Sequence, residues 1–70
     1  MREDKQMICD ALCKALQLTR GFHDLVGLRY ETDGFQEMVT FVYANGTGAP
    51  INVTADSGEA MIRDIMRWTA

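Results

Sequence analysis

The stretch Leu25-Val26-Gly27-Leu28-Arg29-Tyr30-Glu31-Thr32-Asp33-Gly34-Phe35-Gln36-Glu37-Met38-Val39-Thr40-Phe41-Val42-Tyr43-Ala44 decides the fold. Two runs rich in β-branched and aromatic residues flank Asp33-Gly34, a dipeptide suited to a two-residue hairpin turn. The reading is therefore a strand over 25–32 and a second over 35–44. Closing the hairpin at Asp33-Gly34 pairs Tyr30 with Glu37, Leu28 with Val39 and Val26 with Phe41. Those residues share one largely apolar face. The opposite face receives Leu25, Arg29, Met38, Thr40 and Val42. Because a one-residue slip would exchange the two faces, the apolar pattern supports this choice of face.

The second strand is apolar on both faces, which suits the centre of a three-stranded meander, since an exposed edge of that composition invites aggregation. The third strand is expected over 49–55, with Pro50 at its start marking it as an edge. A two-residue turn at Asn45-Gly46 would expose Ile51 and Val53. A loop of three or five residues, with Gly46 or Gly48 in a left-handed bulge, turns them inward. Tyr43 then opposes Ile51, and Phe41 opposes Val53.

A helix is predicted on either side of the sheet in sequence. Over 3–19, Ile8, Ala11, Leu12, Ala15 and Leu16 follow helical spacing as one buried stripe, flanked by Met7 and Leu18. Glu3 and Asp4 suit the first turn and Arg20 the end. Asp10 and Lys14 form a favourable pair one turn apart, and Gly21 suits a left-handed C-cap. Over 57–68, Met61, Ile62, Ile65 and Trp68 form the apolar stripe, with Gly58 allowing close approach to the sheet. Asp56 with Glu59 reads as a capping box, with Ser57 as the alternative cap. The expected fold is α+β: one domain over 1–70, ordered α-β-β-β-α, with both helices on one face of a three-stranded antiparallel meander.

At 70 residues the chain has room for one domain and a thin core. Its net charge is −3. Residues 21–56 carry Asp24, Glu31, Asp33, Glu37 and Asp56 against Arg29 alone. Nucleic-acid binders present a stripe of Lys and Arg, because phosphate neutralisation supplies most of their affinity. No such stripe is evident, so no nucleic-acid partner is expected. No signal peptide or membrane span is evident either, and the reading is cytoplasmic.

Candidate chemistry is sparse. Cys9 and Cys13 lie one turn apart, a spacing that does not meet disulfide geometry in a regular helix. Zinc would need about four ligands, and only His23 and acidic residues remain to complete such a set. The plainer reading is two thiols at the edge of the helix stripe in a reducing compartment. His23, the sole histidine, sits beside Asp24 and could form a general base, but no nucleophile accompanies it. No catalytic, metal or cofactor residue is assigned. What stands out is the sheet face bearing Leu25, Arg29, Met38, Thr40 and Val42, which both helices leave uncovered. Such a patch marks a protein contact, with another protein or with a second copy as a homodimer.

The α-β-β-β-α order resembles that of double-stranded-RNA-binding domains in topology alone. Those domains place a lysine cluster where this chain has Asp56-Ser57-Gly58-Glu59-Ala60. The same order occurs in small toxin-type ribonucleases, which are basic and carry Gly-Ser-His in the sheet. Here Gly21-Phe22-His23 lacks the serine and precedes the first strand. A closer likeness lies in Ile51-Asn52-Val53-Thr54-Ala55-Asp56-Ser57-Gly58-Glu59-Ala60-Met61-Ile62-Arg63-Asp64-Ile65. This segment looks like the C-terminal half of small uncharacterised proteins of bacterial prophages and conjugative elements, with the likeness strongest over 51–67. That resemblance implies a context and no catalytic residue. The expected function is an accessory interaction domain. The alternatives are a toxin-type ribonuclease centred on His23 and an acidic decoy that mimics nucleic acid.

Overall fold

The computed structural model describes residues 4–54 and 57–69. Asp56 as a cap, the end of the expected third strand at residue 55 and the expected helix start at residue 3 lie outside the described residues. Helix α1 spans Lys5–Gln17, β1 Leu25–Thr32, β2 Glu37–Tyr43, β3 Gly46–Thr47, β4 Ile51–Asn52 and α2 Gly58–Thr69, with a single 3₁₀ turn at Arg20–Phe22. Strand β2 is central. It pairs antiparallel with β1 on one side and with the short β3 and β4 on the other. The architecture is α+β, as the sequence predicts.

The helix ends follow local hydrogen bonding. The Asp4 side chain accepts from the Met7 N–H and caps α1, satisfying one of the orphan donors of the first turn. Leu18 is the C-cap, in right-handed geometry, and the Thr19 hydroxyl donates to the Leu16 carbonyl at 2.7 Å. Gly21 therefore does not supply a left-handed cap; it lies within the 3₁₀ turn. At α2 the Ser57 hydroxyl accepts from the Ala60 N–H at 3.2 Å, which is the capping role foreseen as the alternative to Asp56.

The hairpin differs from expectation by two residues in register. Leu28 opposes Phe41 and Tyr30 opposes Val39, leaving a four-residue loop, Asp33 to Gln36. The cause is the Asp33 carboxylate, which accepts from the N–H groups of Phe35 at 2.9 Å and Gln36 at 2.8 Å. That side-chain turn competes with the tighter two-residue closure. Phe35 and Gln36 thus belong to the loop and not to the strand. A two-residue offset preserves which face each side chain takes, so Leu28, Tyr30, Val39 and Phe41 still face the helices.

A β-bulge between Leu25 and Gly27 breaks that parity at the start of β1. Leu25 is 2% exposed and Val26 61%, the reverse of the sequence reading. The extra residue carries Leu25 into the core and leaves Val26 outside.

The third strand is split. The turn at its start is two residues, Ala44 and Asn45, with Gly46 following at φ 149°. The change of parity that turns Ile51 inward occurs between Thr47 and Ile51, within the expected strand and not in the loop. Ile51 opposes Val39 and not Tyr43, and Val53 bonds through its N–H to the Glu37 carbonyl and not opposite Phe41.

One core joins Cys9, Cys13 and Leu16 of α1, Leu25 and Leu28 of β1, Val39 and Phe41 of β2, Val53, and Met61 and Ile65 of α2. Helix α1 is rotated from the predicted stripe: Cys9 and Cys13 sit at its centre, whereas Ala11 and Ala15 are exposed. In α2, Ile62 is 37% and Trp68 59% exposed, so the buried stripe narrows to Gly58, Met61 and Ile65.

Candidate interaction face

The side of the sheet away from the helices displays Val26, Gly27, Arg29 and Glu31 from β1 and Met38, Thr40 and Val42 from β2. This placement follows from the alternation of side chains along paired strands. The bulge supplies Val26 to this face, and Leu25 is withdrawn from it into the core. A Cβ at Gly27 would meet nothing within 4 Å, so the surface is open opposite Val42. Arg29 and Glu31 pair at 3.3 Å with both side chains more than half exposed, so the bridge contributes little to stability. At the hairpin end a depression of about 240 Å³ is lined by Glu31, Thr32, Asp33, Gln36 and Met38. Phe35, strongly exposed, stands in the adjoining loop.

Of the residues assigned to this face from sequence, the structure brings together Arg29, Met38, Thr40 and Val42. It removes Leu25 and adds Val26. The glycine at position 27, inside an otherwise bulky strand, was the available signal of a bulge. Phe35 was missed because the Asp33 side-chain turn is invisible to strand propensity.

The edges of the sheet are closed differently from its face. The Gln6 amide donates to the Leu28 carbonyl at 3.0 Å and accepts from the Tyr30 N–H at 2.9 Å. Gln17 donates to the Leu25 carbonyl at 2.7 Å. These side chains occupy backbone groups of β1 that a further strand would otherwise take. On the helix side, Glu37 accepts from Lys5 Nζ at 2.6 Å and from the Tyr30 hydroxyl at 2.5 Å. The Lys5 and Glu37 side chains are only 15% and 20% exposed. The group ties the first turn of α1 to the loop end of the hairpin.

The remaining candidates fall elsewhere. Cys9 and Cys13 are buried. Burial, with the negative charge of Asp10 adding to it, pushes the Cys9 thiol up to about 11 and the Cys13 thiol upward. Both stay protonated and unreactive at neutral pH. His23 is exposed, and its Nδ1 lies 2.9 Å from the Arg20 carbonyl; a carbonyl only accepts, so Nδ1 carries the proton. Among the described residues no three His, Cys, Asp or Glu side chains are grouped to hold a metal ion, and no helix is long and apolar enough to cross a membrane. No protein-family model, curated protein or solved structure matches the chain.

Proposed function

We propose that this chain is a non-catalytic accessory domain of a mobile genetic element that docks a protein partner through the helix-free face of its sheet. The observation that carries the reading is a sheet face with no helix over it, on which Val26 and Val42 flank the open position at Gly27 and Met38 lies two same-face pairs further along. Arg29, opposite Thr40, lies between the two apolar groups and Glu31 lies opposite Met38, so apolar side chains alternate with charges of both signs along the face. A surface that mixes apolar side chains with polar and charged groups has the overall composition of a non-obligate protein contact. The mobile-element context rests on the resemblance carried by residues 51–67.

The experiment compares tagged wild type with Met38→Glu and Val26→Glu on the sheet face and Arg63→Glu on the helix layer. Each is checked for native circular dichroism. A host protein that is retained by wild type and Arg63→Glu but lost by both sheet-face variants supports the reading. Equal retention by all four chains, or none by wild type, refutes it.

A further inference from the structure

Helix α1 carries more apolar surface than its own chain covers. With 3.6 residues per turn, Met7, Ile8, Cys9, Ala11, Leu12, Cys13, Ala15, Leu16 and Leu18 span roughly 240° of its circumference, interrupted only by Lys5. Gln6, Asp10, Lys14 and Gln17 fill the rest. A helix lying on a single layer needs an apolar arc of only about 100°. The core takes Cys9, Cys13 and Leu16, with Ile8 and Leu12 half-buried beside it. Met7 is left 66% exposed and Leu18 90%, with Ala11 and Ala15 exposed between them.

We infer that this outward stripe of α1 packs antiparallel against the same stripe of a second copy of the chain. The inference uses a surface other than the sheet face and does not depend on the function proposed for that face. Read along the helix, the stripe runs Met7, Ala11, Ala15, Leu18: large, small, small, large in either direction. A two-fold axis across the helix sets Met7 beside Leu18 of the second copy and Ala11 beside its Ala15. The small residues at the centre let the two backbones approach to the short end of the usual ~8–10 Å helix separation.

The charges select the same arrangement. A contact of this symmetry must be self-complementary. In an antiparallel pair related by a two-fold axis, each flank of one helix meets the like flank of the other. Asp10 and Lys14 lie together on one flank, and the axis brings Asp10 against Lys14 of the second copy. The three pairings centre between Leu12 and Cys13 to within about half a residue, under about 1 Å along the helix. Within the chain Asp10 and Lys14 do not pair as their spacing predicts: Asp10 accepts from Gln6 Nε2 at 2.9 Å, and among the described residues Lys14 makes no ion pair.

The seam is only about 20 Å long and falls short of the ~800 Å² per partner of a standard interface. Association is therefore weak and is read at high concentration. Sedimentation of the whole chain over roughly 10–500 µM, a range set by that small area, should show the mass rising from 7.9 kDa toward twice that value. Ala15→Glu, at an exposed position and with a good helix former, should remain monomeric with unchanged circular dichroism. Lys14→Asp should weaken the dimer at least tenfold, and Asp10→Lys with Lys14→Asp should restore it. Wild type that stays monomeric throughout overturns the inference. So does a dimer indifferent to Ala15→Glu, or a charge swap that fails to restore association. A dimer lost in Met38→Glu but kept in Ala15→Glu would likewise overturn it, and would place self-association on the sheet face.

Discussion

Replacing Glu37 by Gln tests what holds α1 to the hairpin. Lys5 and Glu37 are some four-fifths buried and 2.6 Å apart, and Glu37 also accepts from Tyr30. The amide keeps an acceptor for the Tyr30 hydroxyl but leaves the Lys5 ammonium without its counter-charge. Removing one partner of a fully buried pair costs about 3–5 kcal/mol, and an exposed pair contributes about 0–1. The burial here places the loss at about 2–3 kcal/mol. A domain of this length has roughly 4–10 kcal/mol in total, and each kcal/mol lowers Tm by about 4–8 °C. Glu37→Gln should therefore melt some 10–20 °C below wild type by that scaling. A cycle with Lys5→Met should give a coupling of about 1–2 kcal/mol that persists in 1 M salt, because a buried pair is poorly screened. Urea unfolding followed by far-UV circular dichroism is the assay, since Trp68 is already 59% exposed and reports unfolding poorly. A coupling below about 0.5 kcal/mol, or one abolished by salt, would show that the pair behaves as a surface bridge and would refute the reasoning.

Two further outcomes check the fold. Leu25→Ala should cost about 2–5 kcal/mol and Val26→Ala within about 0.5; the reverse order, measured by urea midpoints, would deny the bulge. The N–H groups of Gln36 and then Phe35 hold the Asp33 carboxyl below its ordinary value of 3.8. Its contribution to stability is present above that ordinary value and lost as pH falls through the lowered one. Urea midpoints of wild type and Asp33→Ala should differ at pH 6 and converge well below pH 4; a constant difference would exclude the carboxylate as the cause.

The fold class was legible because β2 is apolar on both faces and so had to be central, while turn residues marked the ends of its neighbours. Arg29, Met38, Thr40 and Val42 were placed on the correct face even though the register was two residues out, since an even offset leaves side-chain direction unchanged. Leu25 and Val26 exchanged places because a bulge reverses direction without altering composition. The rotation of α1 was illegible for a different reason. Its apolar arc is so wide that several orientations satisfy helical periodicity, and the partly buried Gln6 and Gln17 contacts to β1 select one of them. The split of the third strand follows from the parity change between Thr47 and Ile51, which the sequence reading assigned to the preceding loop.

The way the sheet edges are closed bears on how any partner must bind. Strand addition needs a run of free backbone donors and acceptors. On β1, Gln6 and Gln17 take the groups of Leu25, Leu28 and Tyr30. At the other edge, β3 and β4 are two residues each, and Pro50, which precedes β4, has no N–H to give. Recognition is thereby left to side chains on the faces of the molecule. The two faces are chemically distinct: Val26, Met38 and Val42 with paired charges on the sheet side, and the Met7–Leu18 stripe on the helix side. Pairing α1 with a second copy places the helical layers between the two sheets, so the open sheet faces point in opposite directions. A dimer of that form presents two identical docking faces, and joining two sites raises avidity only for a target able to reach both. Ala15→Glu would then reduce capture of a multivalent target while leaving the affinity of a single sheet face unchanged, whereas Met38→Glu would abolish both.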